Sequence, residues 1–280
     1  MGVGNRSDLV VSEVSGPVSL EHGQNFMATV RVCNQGTESS SSSSYSRPHV
    51  ELYLSMDTEL ELPSPGSPYP SPGMPRDQMF IGSVELEQSL APAQCVTLSV
   101  PASAVLPQEA QGDGAYYLAA AVDTKWVEQE LREDNNSRMG DLVGVGYRPD
   151  LVVSEVSGPS SVANGLAFTA TVTVCNQGTV PTAQQVWLEV FLSQDADLSV
   201  MNPGEPPHDD QRSVGGIHVD PLDVDQCVTL DVPAWADLPY AAPEPGVFHL
   251  GAIVDSNSWL QELREDNNTR ATSTLEVTAH

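Results

Sequence analysis

Leu9-Val-Val-Ser-Glu-Val-Ser-Gly-Pro17 recurs letter for letter as Leu151-Val-Val-Ser-Glu-Val-Ser-Gly-Pro159. A self-similarity this long is read before anything else, because it says the chain is built from copies of one unit. Three further blocks follow in the same order. Val32-Cys-Asn-Gln-Gly-Thr37 returns at Val174, Gln94-Cys-Val-Thr-Leu98 at Gln226, and Glu130-Leu-Arg-Glu-Asp-Asn-Asn136 at Glu262. The first two blocks are offset by 142 residues (151 less 9), the last two by 132 (262 less 130). The second copy has therefore lost ten residues between its two cysteines, where a surface loop is expected to absorb the change. The domains read as 1–147 and 148–280, each large enough for one hydrophobic core.

Within each copy the pattern is that of strands. Phe26, Ala28, Val30 and Val32 alternate with polar neighbours, and Phe168, Ala170, Val172 and Val174 alternate with Thr169, Thr171 and Thr173. Val50–Ser55, Cys95–Val100 and Tyr116–Val122 continue the series in the first copy, and Val186–Ser193, Cys227–Val232 and Val247–Val254 in the second. Convincing helical periodicity is absent. Two stretches, 38–46 rich in serine and 63–75 rich in Pro, Gly and Ser, read as loop tips. About seven short strands per copy between Pro/Gly-rich turns predict an all-β chain of two tandem immunoglobulin-like, seven-stranded antiparallel β-sandwiches.

The formal charge of −27, from 11 Lys and Arg against 38 Asp and Glu, repels phosphate backbones and so argues against nucleic acid. No run of about 18 apolar residues occurs, so no direct membrane insertion is expected. Residues 1–7 lack an apolar signal core, which is expected of a piece of a longer chain or of a processed one.

Taken together, several motifs carry a family resemblance. Asp8 and Asp150 each open an Asp-Leu-Val-Val-Ser-Glu run, Asn34 and Asn176 an Asn-Gln-Gly-Thr run. Leu54–Asp57 and Leu192–Asp195 read Leu-Ser-x-Asp, Asp123 and Asp255 follow valine, and Glu133–Asn136 and Glu265–Asn268 close each copy. In this order they resemble the CARDB family, the cell adhesion related domain found in bacteria, over nearly the whole chain. The resemblance implies an immunoglobulin-like sandwich on a secreted or surface protein, and no enzymatic activity.

Four cysteines fall at matched positions without zinc-like spacing. They read as one disulfide per self-contained copy, Cys33 with Cys95 and Cys175 with Cys227, the alternative being four reduced thiols. Each bridge would add about 4 kcal/mol and place the protein in an oxidising compartment, outside the cell or on its surface.

Oxygen-rich loops are the one chemistry on offer. The candidate clusters are Asp57, Asp123, Glu130, Glu133 and Asn135, and their counterparts Asp195, Asp197, Asp255, Glu262, Glu265 and Asn267. Such oxygens suit calcium, although the spacing is not that of an EF-hand. The competing reading is that these side chains cap their own turns. No cofactor is required, and Ca2+ is the candidate. Trp126 and Trp259, in the same hairpins, are expected to pack beneath the loop rather than stack on a sugar.

No histidine occurs at a matched position in both copies, so the repeat carries no triad, and no Gly-x-Ser-x-Gly elbow is present. The expected function is a non-catalytic extracellular or cell-surface adhesion module that binds a protein or a surface polysaccharide. A structural spacer or a self-associating filament subunit is the first alternative. An accessory domain of a secreted hydrolase is the second.

Overall fold

Ser12 explains why the quoted repeat breaks strict alternation. In a computed structural model that describes residues 4–41, 47–62, 76–200 and 209–279, strand β1 (Leu9–Ser15) pairs antiparallel with β3 (Asn25–Asn34), and the register slips between Val11 and Glu13. Ser12 is the extra residue of this bulge, and its Oγ donates to Arg31 O at 3.0 Å. The bulge turns Leu9, Val11 and Val14 all toward the core despite their uneven spacing. Gly16-Pro17 then ends the ladder. A Cβ on Gly16 would lie 2.8 Å from Leu118 Cδ2, so glycine lets the chain pass close over this core leucine. The chain crosses to β2 (Ser19–Leu20), which runs parallel to β8 (Ser137–Val145).

The remaining strands are β4 (His49–Ser55), β5 (Gln78–Glu85), β6 (Cys95–Ser103) and β7 (Gly114–Val122). Their order is β1-β3-β6-β5-β4-β7-β8-β2. The sheet curls until β1 lies across the core from β7 and β8, which makes it a sandwich. The sheet bends between β5 and β6, which are joined by the single pair Gly82–Ala102. A Cβ on Gly82 would stand 2.1 Å from Pro101 O, so glycine is what allows the two strands to meet there. Phe26, Val30, Leu52, Leu54, Leu118 and Val145 are among the side chains that fill the interior.

The second domain repeats this strand for strand. It consists of β9 (Leu151–Ser157), β10 (Ser161–Ala163), β11 (Ala167–Asn176), β12 (Val186–Ser193), β13 (Gln211–Val219), β14 (Cys227–Trp235), β15 (Gly246–Val254) and β16 (Thr269–Thr278). Their order is β10-β16-β15-β12-β13-β14-β11-β9, with Gly215–Ala234 as the single pair at the bend. The compact units are Met1–Gly146 and Tyr147–His280.

The all-β sandwich fold expected from the sequence is present, and no helix occurs among the described residues. The sheets differ from the expectation in two respects, the first being that each has eight strands rather than seven, because a short extra strand, β2 or β10, is added at one edge. They are also mixed rather than purely antiparallel, because the short β2 and β10 pair parallel to β8 and β16. Residues 42–46 of the serine run and the whole of 63–75 lie outside the described residues.

Both disulfides form as paired from the sequence, Cys33–Cys95 and Cys175–Cys227. Each joins directly opposite residues of neighbouring strands, with Cα atoms 4.0 Å apart. The core-facing residues of β3 are Phe26, Ala28, Val30 and Val32. By the two-residue period the bridge therefore stands on the outer face of one sheet and does not tie the two faces together.

Candidate functional site at the N-terminal pole of each domain

The antiparallel order gathers specific loops at one end. The start of β1, the end of β3, the start of β4, the end of β7 and the start of β8 all meet at the pole where the domain begins. Asn34, wholly buried, holds this pole together. Its Oδ1 accepts from Asp8 N (3.0 Å) and Gly36 N (2.9 Å), and its Nδ2 donates to Glu38 O and Leu90 O, both at 2.7 Å. Asn176 does the same with Asp150 N, Gly178 N, Val180 O and Leu222 O. The Asn-Gln-Gly-Thr run is thus a four-bond brace.

The loop between β7 and β8 is built on Asp123. Its backbone is left-handed (φ 55°), and its Oδ1 and Oδ2 accept from Val127 N (2.9 Å) and Glu128 N (2.8 Å). Asp255 (φ 50°) accepts in the same way from Trp259 N (3.3 Å) and Leu260 N (2.8 Å). Buried Glu130 accepts from Leu9 N and from Asn136 Nδ2. Glu262 accepts from Asn268 Nδ2 at 2.8 Å. Glu133 and Glu265 cap Glu130 N (3.0 Å) and Glu262 N (3.1 Å). Asn135 and Asn267 donate to the carboxylates of Asp8 (3.0 Å) and Asp150 (2.9 Å). Each duplicated acid therefore ties the hairpin to itself or to the domain's first residues.

Burial sets the electrostatics. Loss of water pushes Glu130 up to about 8 and Glu262 up to about 9, against the bonds from Asn136 and Asn268 that favour the charged form. Burial likewise raises Asp123 to about 6, opposed by the two N–H groups of its loop. Asp150 is raised too, by burial first, although Asn267 and Arg264 oppose the shift. Several buried oxygens here have no hydrogen-bond partner: Oδ1 of Asn135 and Asn136 in the first domain, and Asp150 Oδ2, Asn267 Oδ1 and Asn268 Oδ1 in the second.

The structure divides the candidate clusters. Asp123, Glu130, Glu133 and Asn135 share the pole, as do Asp255, Glu262, Glu265 and Asn267. Asp57, Asp195 and Asp197 do not belong with them, which corrects the clusters read from sequence. β4 runs antiparallel to β7 with Val50 opposite Val122 and Ser55 opposite Tyr117, so Asp57 lies beyond the far end of a strand about 20 Å long. Ser193 opposite His249 places Asp195 and Asp197 at the far end in the same way. These acids close turns of their own, Asp57 Oδ1 accepting from Glu59 N (2.9 Å) and Asp195 Oδ1 from Asp197 N (3.0 Å). Among the described residues no three His, Cys, Asp or Glu side chains are grouped so as to hold a metal ion.

Three pairs and one single residue lie outside the sequence clusters: Asp8 with Asp150, Asn34 with Asn176, Asn136 with Asn268, and Glu128. The first three pairs sit inside the repeated blocks, and that repetition was their signal. Glu128 belongs to the first copy alone, where it accepts from Ser7 Oγ (3.3 Å) and Ser41 N (2.8 Å). The expected packing of the hairpin tryptophans holds in part. Trp126 is half-buried, whereas Trp259 is 81% exposed. Trp126 has its structural counterpart in Ser258, both left-handed, so Trp259 falls one position later and faces solvent.

Residues 148–272 match the CARDB family model. The second domain matches the CARDB family. A CARDB domain is a cell-adhesion-related module, and the first domain of this chain repeats its motifs and its strand order. The crystal structure of a CARDB domain from Pyrococcus furiosus, in complex with di-metal ions, aligns at 21% identity over 47% of this chain and 90% of its own, with a TM-score of 0.32. The solution structure of that domain aligns at 21% identity over 51% and 98%, with a TM-score of 0.31. Red sea bream transglutaminase aligns at 14% identity over 99% of this chain and 32% of its own, with a TM-score of 0.41. No curated protein matches the chain.

Proposed function

We propose that this tandem CARDB protein is a non-catalytic adhesion module that works outside the bacterial cell and binds a protein or polysaccharide surface. The observation that carries the reading is the fate of the repeated polar residues. Asp123, Glu130, Glu133, Asn135 and Asn34, with their counterparts, are spent on bracing loops into a fixed pole. A braced pole suits presentation of a surface; general acid–base catalysis needs a carboxyl held open to a substrate. Two disulfides support an oxidising location. Beads coated with the chain are expected to be retained on bacterial envelopes or polysaccharide films more than beads coated with an unrelated acidic protein. Turnover of a glycoside, peptide or ester substrate by the purified chain would overturn the reading.

A specific observation favours a divalent cation at the pole. The partnerless oxygens of Asp150, Asn267 and Asn268 lie beside a buried glutamate, and carboxylate and amide oxygens are the donors calcium takes. Asp150, Glu262, Asn267 and Asn268 would hold it in the second domain, with Asp8, Glu130, Asn135 and Asn136 in the first. Unfolding temperatures measured in EDTA and in millimolar calcium test this. A calcium-dependent rise is expected, since an ion bound only by the folded state stabilises it; identical curves would remove the ion from the account.

A further inference from the structure

β14 leaves one edge open where it parts from β13. The two strands share only the pair Gly215–Ala234 and then diverge, so Cys227 to Val232 have a partner on the β11 side alone among the described residues. The direction of their backbone groups follows from the ladder. Asn176 N donates to Gln226 O at 2.9 Å, so the carbonyl of Gln226 points toward β11. By alternation the N–H and C=O of Cys227, Thr229 and Asp231 then point away from β11. Pro233 confirms the parity, because it occupies the next outward position and has no N–H to lose. Ile217, Val228 and Leu230 floor the wedge between the strands, half-buried and packed on the core. Natural sheets usually guard such an edge with lysine, a bulge or a covering segment. Here the rim is acidic instead: Asp220, Asp223, Asp225 and Asp231 are all exposed.

We infer that the β13–β14 wedge of the second domain is a strand-addition site that takes an extended, lysine- or arginine-bearing segment of a partner protein. Main-chain bonds to Thr229 and Asp231 would bind the segment, and alternate apolar side chains would cover Val228, Leu230 and Ile217. The four aspartates select for positive charge and disfavour a second copy of this chain, whose net charge is −27. The first domain has the same floor in Val84, Val96 and Leu98 but fewer acids around it. The inference rests on the reading of the chain as a binding module and names the partner's chemistry.

The test uses the full chain and a fluorescein-labelled synthetic peptide that alternates valine with lysine and threonine. Anisotropy is expected to show binding that weakens with salt and fails when glutamate replaces lysine, while exchange of the Thr229 and Asp231 amides slows. Thr229→Pro removes an outward N–H in the register where Pro233 is already tolerated, and should weaken binding about tenfold or more by blocking a main-chain bond. Should that variant not fold, the triple variant D223N/D225N/D231N keeps the backbone and should weaken binding and its salt dependence. Absence of binding at millimolar peptide, undiminished binding in these variants, or a chain that dimerises through β14 and excludes the peptide would overturn the inference. Bead attachment separates the two readings: beads that hold while the peptide fails leave the adhesion module standing without this site.

Discussion

Asn34 and Asn176 show how one amide sets a whole pole. Each makes four bonds from a wholly buried position and links the domain's first residues to two loops. Asn34→Ala would leave the N–H groups of Asp8 and Gly36 and the C=O of Glu38 without these partners, while Leu90 O keeps its bond from Ser40 N, and should cost about 3 kcal/mol, readable as a lower denaturant midpoint. The buried glutamates give a second prediction at this scale. Glu130 and Glu262 start from 4.5 and rise to about 8 and about 9 in the fold. Below pH 4.5 both folded and unfolded chains carry the proton. As pH rises the unfolded chain releases it first, so stability falls from about pH 4.5 through 8 in the first domain and through 9 in the second. In EDTA the melting temperature should therefore be higher at pH 5 than at pH 9, with a smaller difference in E130Q/E262Q. A flat wild-type profile would contradict the burial argument. The brace residues were visible in the sequence as repeated letters, but their role was not. A four-bond brace depends on backbone groups far along the chain, Asp8 and Leu90 for Asn34, and side-chain pattern does not reveal those.

Strand identity was largely legible, because alternation of core and surface residues is a local property. What joins the strands was less so. Pairing places the loop after Leu-Ser-x-Asp and the loop after Val-Asp at opposite poles, since β4 and β7 are antiparallel neighbours. Spacing along the chain carries no such information, and for that reason Asp57, Asp195 and Asp197 were grouped with the wrong acids. The bends at Gly82 and Gly215 were also unannounced, each being one close backbone approach. Gly82→Ala should open the β5–β6 seam and cost about 3 kcal/mol, the upper range for forced overpacking. The disulfides act on the neighbouring element. Each staples two strands that already pair, and C175S/C227S should cost about 2–4 kcal/mol, seen as a drop in melting temperature without loss of the β spectrum.

For the whole molecule, two copies of one sandwich present the same braced pole twice on a strongly acidic chain. Under the proposed adhesion function, the duplicated pole supplies a repeated contact with a surface. If both poles contact one surface, avidity follows, and attachment should weaken far more than twofold when one pole is disabled. N34A, if it folds, is the variant to use, with N176A for the second domain. The most direct measurement is retention of beads coated with the full chain on bacterial envelopes and polysaccharide films under flow, in calcium and in EDTA. Retention above that of an unrelated acidic protein, and greater in calcium, is the predicted result. Retention no greater than that of the unrelated protein in either condition would contradict the reading of this chain as an adhesion module.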